Sequence, residues 1–376
     1  MLNRIWCVFV STLLAVLPLC VFANATGVTV SAKSAILVNA VTGEVLFEKN
    51  SREELPMAST TKIMTSLLAL ESGNTDKVVT VNESDVKVEG TSIGLKANDK
   101  ITLGTLVCGM LLESGNDAAN VTATAIGGSA EEFVSLMNQK AKELGMLQTS
   151  FQNPSGLPQE NHYSTAYDMA LLTSYAIKNP KLSAICSQKS MRVSYGTPEY
   201  ERTFTNHNKL LNMVDGAFGV KTGYTKSAGR CLVSVAKRGN ITLAAVTLNA
   251  PDDWNDHAKL YEIGFSATKE TEVHFSEKIE IPVVNSDKKT ITAKPLSKLV
   301  YTSANKNIKT QTEIYSEHFL YADIKKGDVV GRIRVYSNEC VLLCETPLVA
   351  CEEAKRKVSK VTQKPSFIEK IINFLK

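Results

Sequence analysis

Residues 57–74 read MASTTKIMTSLLALESGN. Ile63, Met64, Leu67, Leu68 and Leu70 recur with helical spacing and Gly73 supplies a stop, so the stretch predicts a helix that opens near Ser59. Ser59 and Lys62 then stand at i and i+3 in the first turn, neighbours on one face. The positive end of the helix dipole helps a lysine there to shed its proton. A neutral amine beside a serine hydroxyl is a nucleophile with its base. The Ser-x-x-Lys spacing recurs at Ser84/Lys87, Ser234/Lys237, Ser266/Lys269, Ser286/Lys289 and Ser303/Lys306, but in segments where none is expected to open a helix.

The last five letters of the stretch, LESGN, occur again at residues 112–116. Ser72, in the first copy, lies thirteen residues along the same helix from Ser59, which is about 20 Å at the helical rise. A rigid helix does not bring it to the nucleophile, and its Gly73-Asn74 reads as a helix stop. Ser114, in the second copy, falls on a predicted loop between two helices, where Ser114 and Asn116 can be presented to a cleft. Lys221-Thr222-Gly223, in the apolar run FGVKTGYT, is the only KTG in the chain. Lys221 brings a second cation that depresses the pKa of Lys62. Thr222 offers a hydroxyl to a carboxylate, and Gly223 lets a ligand backbone lie close to the strand.

Working outward, SAILVNAVTGEVLFEKN (34–50) reads as a hairpin, helical patterns follow near 105–112, 117–126 and 129–145, and another helix starts near Thr165. Ser129 and Glu132 form a capping box at the third of these. Three strand-like runs come after Phe204, then a helix that ends near residue 268. Strands at both ends of a helical middle predict an α/β (α+β) domain over residues 26–268, one antiparallel sheet flanked by helices. Short strands separated by turn residues predict a small all-β domain over 269–352.

Residues 1–25 carry Arg4, a long apolar run and Ala23-Asn24-Ala25, the pattern of a secretory signal peptide cleaved after Ala25. Residues 353–376 pair a basic stretch with PSFIEKIINFLK, which sets Phe367, Ile368, Ile371, Ile372 and Leu375 on one helical face. That helix is only about 18 Å long, too short to span a bilayer and suited to lie in a membrane surface. These segments point to an exported protein held peripherally at the outer face of the cytoplasmic membrane. The net charge of +4 and the lack of a dense basic patch with interleaved aromatics give no support to a nucleic-acid partner. The cysteines left after cleavage, Cys108, Cys186, Cys231, Cys340, Cys344 and Cys351, include no CxxC. Cys340, Cys344 and Cys351 crowd one segment and leave open a disulfide among them. His162, His207, His257, His274 and His318 are scattered, with no HExxH, which argues against a zinc peptidase. No cofactor is expected.

Ser-x-x-Lys, then Ser-x-Asn, then Lys-Thr-Gly, in that order, is specific where each alone is not. With AILVNAVTGEVLFEKN, MASTTKIMT, NPSGL, HNKLL, GVKTGYTKSAGRCLVSV, KKGDVVGRIRVY and TPLVA, the sequence resembles the serine D-alanyl-D-alanine carboxypeptidases, the low-molecular-weight penicillin-binding proteins, over nearly its whole length. PDDWNDHAKL is similar to the branch found in spore-forming bacteria. The resemblance implies that Ser59 attacks the carbonyl between the terminal D-alanines of a peptidoglycan stem peptide and that Lys62 takes the proton. It implies that Ser114 relays a proton to the leaving amine, that Asn116 holds the substrate amide, and that Lys221 and Thr222 hold the terminal carboxylate. The backbone N–H groups of Ser59 and Tyr224 would form the oxyanion hole, and β-lactams would acylate the same serine.

Met57 and Asn39 depart from the family's usual residues without touching this chemistry. Some relatives also place an arginine after the last sheet strand; here residues 252–257 read DDWNDH, so carboxylate binding rests more on Lys221 and Thr222. Two other readings compete. A β-lactamase needs a deacylating base, and Glu160 is not in the ExxLN setting that class A enzymes use. A non-catalytic wall or β-lactam sensor would be expected to lose at least one of Ser59, Lys62, Ser114, Asn116 and Lys221, and all are present.

Overall fold

The computed structural model describes residues 28–275 and 279–357. The expected signal segment and the amphipathic helix lie outside the described residues. The described residues divide into two compact units, the first formed by 28–270 with 302–306 and the second by 271–275, 279–301 and 307–357.

The first unit is built on a five-stranded sheet in the order Val45–Lys49, Ser34–Asn39, Ile241–Leu248, Gly229–Arg238, Ala217–Thr225. Each neighbouring pair is antiparallel. The sheet is apolar on both faces because its strands alternate between two cores, as period-2 side chains must. Ile36, Val38, Val233, Val235, Ala244 and Val246 meet the helices of the 58–186 segment. Ala35, Leu37, Leu232, Ala236, Leu243 and Ala245 meet the helix Asp253–Ala267 through Leu260 and Tyr261. On that second face Ser234 Oγ lies 2.6 Å from His257 Nδ1 and 2.6 Å from Tyr261 OH, and Thr247 Oγ1 lies 2.9 Å from His257 Nε2. Burial pushes His257 down to about 3, so it stays neutral inside this network.

The 34–50 hairpin, the helix Lys62–Glu71 and the helix capped by Thr165 form where the spacing predicts them. Ser129 caps its helix by accepting from Glu132 N at 3.1 Å. Two pairings were not foreseen: Val78–Thr80 with Lys100–Thr102, and Ser190–Tyr195 with Tyr200–Thr205. The second pair is mostly exposed and polar, so it lacks an apolar alternation; only Tyr195 and Phe204 are buried. The pattern near 105–112 is interrupted, as Leu103–Cys108 gives way to a single π-turn, Gly109–Glu113. Ser84 also sits on a helical turn, Glu83–Val86, against the expectation that no other Ser-x-x-Lys would. There the lysine is spent on the surface, with Lys87 paired to Glu83 at 2.8 Å.

In the second unit a six-stranded sheet runs Thr310–Ser316, Val329–Ser337, Leu342–Ala350, Thr290–Pro295, Ile279–Val284, Leu320–Tyr321. Ile281, Ile291, Ile333, Val335 and Leu348 fill its core. Cys340, Cys344 and Cys351 are free thiols, as are Cys108, Cys186 and Cys231.

Gly264 lets the closing helix approach the sheet: a Cβ there would sit 2.6 Å from Leu37 Cδ2 and 2.7 Å from Leu243 Cδ1. Gly264→Val is therefore expected to cost about 1–3 kcal/mol by overpacking, read from urea unfolding. A wild-type midpoint would mean that both leucines simply turn aside.

Candidate active site

Ser59 lies in a 3-10 turn, Ala58–Thr61, that runs directly into the helix Lys62–Glu71. Met57 O pins the turn by accepting from Thr60 N at 3.2 Å and Thr60 Oγ1 at 2.6 Å. Lys62 is fully buried. Its amine lies 3.0 Å from Ser59 Oγ, 2.7 Å from Asn116 Oδ1 and 2.6 Å from Ser155 O. Its pKa is held well below the ordinary lysine value: burial is the largest cause, the charge of Lys221 adds to it, and Asp117 opposes it. Burial thus leads where the sequence had pointed to the helix end and Lys221.

Ser72 is the C-cap of the same helix, with Gly73 following at φ +84° and Ser72 Oγ turned back onto Ala69 O at 2.7 Å. The first LESGN copy is a helix terminus. In the second copy the π-turn ends on Ser114, whose backbone is left-handed at φ +64°. Ser114 is buried, and among the described residues its hydroxyl has no hydrogen-bond partner. Asn116 is fixed at both ends of its amide, since Oδ1 accepts from Lys62 and Nδ2 donates to Glu89 O at 2.6 Å.

Lys221 lies on the edge strand Ala217–Thr225, almost fully buried, and donates to Thr222 O at 2.8 Å. Burial lowers its pKa to about 7. Gly223 is where this strand meets the turn that carries Ser59: a Cβ there would lie 3.0 Å from Ser59 N, 3.1 Å from Met57 O and 3.2 Å from Ala58 Cβ. Thr222 is half-buried, and Tyr224 is exposed on the same strand. The structure thus gathers Ser59, Lys62 and Asn116 into direct contact and lays Gly223 against Ser59. Lys221 reaches Lys62 through its field and not through a hydrogen bond.

The sequence alone assigns no role to Ser155, Gly156 and Asp117, although NPSGL carries part of the resemblance. Ser155 acts through its backbone carbonyl, which any residue owns. It sits in the NPSGL turn, where Asn153 Oδ1 accepts from Gly156 N at 2.7 Å. Gly156 has φ +86°, and a Cβ there would lie 1.9 Å from Ala58 O, so only glycine fits. Asp117 is fully buried and accepts from Ile93 N (3.0 Å), Leu95 N (3.0 Å) and Ser92 Oγ (2.6 Å), shaping the loop over Asn116. That loop is clipped again at Ile93 O, which accepts from Tyr195 OH at 2.6 Å and from Arg202 Nη1. Arg230, opposite Tyr224 in the sheet, is bound to Asp253 at 2.6 Å. The DDWNDH stretch therefore engages a cation from the neighbouring strand rather than supplying one.

A serine in contact with a buried lysine, flanked by an asparagine and a glycine-lined edge strand on an antiparallel sheet between helices, defines a serine acyl-transfer enzyme of the penicillin-binding type. The family model for D-alanyl-D-alanine carboxypeptidase (peptidase S11) matches residues 21–252, and that for the penicillin-binding protein 5 C-terminal domain matches 268–356. The chain belongs to the D-alanyl-D-alanine carboxypeptidase family and is a serine-type enzyme of that class. It is 35% identical to D-alanyl-D-alanine carboxypeptidase DacF of Bacillus subtilis over 86% of each chain. It is also 35% identical to DacC of Escherichia coli over 81% of this chain and 80% of that one. Among solved structures, penicillin-binding protein 5 of Haemophilus influenzae superposes with TM-score 0.64 at 26% identity, covering 88% of this chain and 99% of that one.

Lys221 yields a pH prediction. Its folded pKa of about 7 lies below the ordinary 10.5, so the unfolded chain binds more protons between those values. This group's contribution to stability is full above the ordinary value and is lost as pH falls toward about 7. Lys221→Met should be more stable than wild type at pH 7 by about 1–4 kcal/mol, with the difference shrinking toward pH 10. Urea unfolding at both pH values, beside acylation rates that should collapse, checks it; equal stability at both would remove the buried-amine account.

Proposed function

We propose that Ser59 is the acylated nucleophile of a D-Ala-D-Ala carboxypeptidase and that Lys62 is its base. The observation that carries this is the contact at 3.0 Å between Ser59 Oγ and a buried lysine amine with a strongly depressed pKa. Ser59 Oγ attacks the carbonyl carbon between the two terminal D-alanines of a peptidoglycan stem peptide, and its proton passes to Lys62. The resulting oxyanion is held by the N–H groups of Ser59 and Tyr224; each such donor contributes about 3–4 kcal/mol in enzymes of this kind. The C–N bond then breaks, Ser114 relays to the departing D-alanine the proton that Lys62 took, so that both end as they began, and water hydrolyses the Ser59 ester. Asn116 orients the substrate amide, and Gly223 keeps the strand close to Ser59. Lys221 and Thr222 receive the terminal carboxylate, which would draw Lys221 back to its charged form. β-Lactams acylate Ser59 by the same route.

The same reading takes residues 26–268 as the catalytic domain, 269–352 as the β-rich domain and 353–376 as linker and membrane-surface helix, on a protein exported by residues 1–25. No helix among the described residues is long and apolar enough to cross a membrane; the proposed anchor is the amphipathic segment 365–376, read from its apolar face and the basic stretch before it.

Intact-mass measurement after incubation with benzylpenicillin, beside Ser59→Ala, is the direct test, with D-alanine release followed on diacetyl-Lys-D-Ala-D-Ala. A stable adduct that requires Ser59, together with D-alanine release, is the expected result. Rapid penicillin turnover would indicate the β-lactamase, an adduct without D-alanine a sensor, and no adduct would overturn the assignment. Separately, deletion of Pro365 to Lys376 should free the protein from anionic vesicles without loss of activity; a truncated protein that still sediments with them would refute the anchor.

A further inference from the structure

A neutral lysine amine has two N–H groups and one lone pair, and it serves as a base only if the lone pair faces its substrate. The Lys62 amine has three oxygen neighbours. Two of them, Asn116 Oδ1 at 2.7 Å and Ser155 O at 2.6 Å, carry no hydrogen and can only accept. They take both N–H groups. The lone pair is thereby left for the third neighbour, the Ser59 hydroxyl at 3.0 Å. If the Ser155 carbonyl drifts, the amine is free to turn an N–H toward Ser59 and ceases to be a base in that orientation. Whatever fixes residues 152–157 to the nucleophile turn therefore sets the direction of proton transfer.

We propose that His162 is a positioning residue for this proton transfer, tying the loop that carries the Ser155 carbonyl to the turn that carries Ser59 and Lys62. Its two ring nitrogens reach those two segments. Nδ1 lies 2.9 Å from Gln152 N, a backbone donor, and must accept there. The ring hydrogen is then on Nε2, which donates to Thr61 Oγ1 at 2.9 Å. Thr61 stands between Ser59 and Lys62. The ring is buried and set edge-on to Phe151, with centroids 6.1 Å apart. Burial pushes its pKa down to about 4, so the Nδ1 lone pair survives at neutral pH. A second tie acts on the same loop, because Thr65 Oγ1 donates to Pro154 O at 2.6 Å. Ser66, the next residue on the helix, is buried and its hydroxyl has no partner, which makes it a control.

This proposal rests on Ser59 and Lys62 being nucleophile and base. Its test is the rate of Ser59 acylation by benzylpenicillin from pH 5 to 9 in the intact protein and in His162→Ala, His162→Asn, Thr65→Val and Ser66→Ala, with the folded fraction measured for each. His162→Ala should acylate about ten- to a hundredfold more slowly, the usual cost of a misplaced reacting group. Its acid limb should move to higher pH, because a loosened loop admits water to Lys62. The charged groups that face Lys62, Lys221 from the edge strand and Asp117 from the helix Asn116–Gly127, are unchanged in these variants. His162→Asn keeps an acceptor for Gln152 N and should fall between. Thr65→Val should reproduce the shifted limb, and Ser66→Ala should match wild type in rate and limb. A loss of rate in His162→Ala that merely tracks the folded fraction, with the limb unmoved, would overturn the positioning role alone. Absence of any adduct in the unmodified protein would overturn the nucleophile assignment, and the proposal with it.

Discussion

The burial of one amine governs this active site. Lysine in water is a poor base because it is already protonated; burial, with the charge of a second buried lysine added, drives Lys62 toward its neutral form. Removing a cation from water is costly, and the surroundings are arranged to make that cost tolerable. The helix Lys62–Glu71 is buried along nearly its whole length, which roots one side of the amine in the core. Asn116 and Ser155 supply oxygen partners on the other. Asp117, fully buried one residue beyond Asn116, moderates the positive field while its oxygens are committed to the backbone of residues 92–95. The same carboxylate therefore orders the loop and tempers the base.

The sheet contributes position. Its central strands are apolar on both faces and hold two cores apart, leaving Ala217–Thr225 at the border. Gly223 brings that border strand close against the turn that carries Ser59, where a Cβ would press on Ser59 N and Met57 O. Gly156 does the same from the opposite loop, beneath Ala58 O. Two glycines thus set the spacing of these segments: at Gly156 a Cβ would collide with backbone, and at Gly223 the facing backbone would have to give way slightly.

What could be read in advance was whatever depends on short spacing. Ser59 with Lys62 and the capped helices follow from three- or four-residue relations, the hairpin at residue 34 from alternation about a turn, and the demotion of Ser72 from its distance along the same helix. The family resemblance then joined Ser114, Asn116 and Lys221 to them. The rest depends on contacts between distant segments. Ser155 works through a carbonyl, Asp117 through a fold that returns residues 92–95 to it, and His162 through a loop closed over 101 residues to Thr61. The helix-end argument for Lys62 gave way to burial, a property of the assembled core. The hairpin Ser190–Tyr195 with Tyr200–Thr205 was overlooked because its residues face solvent, and exposed strands carry no apolar rhythm.

The border position of Ala217–Thr225 also bears on selectivity. Among the described residues this strand pairs on one side only, with Gly229–Arg238. An unpaired strand edge offers the same row of backbone donors and acceptors to any extended chain, whatever its side chains. Affinity gained there is indiscriminate, and it cannot separate one wall peptide from another. Discrimination has to come from side chains that flank the edge and not from the edge itself.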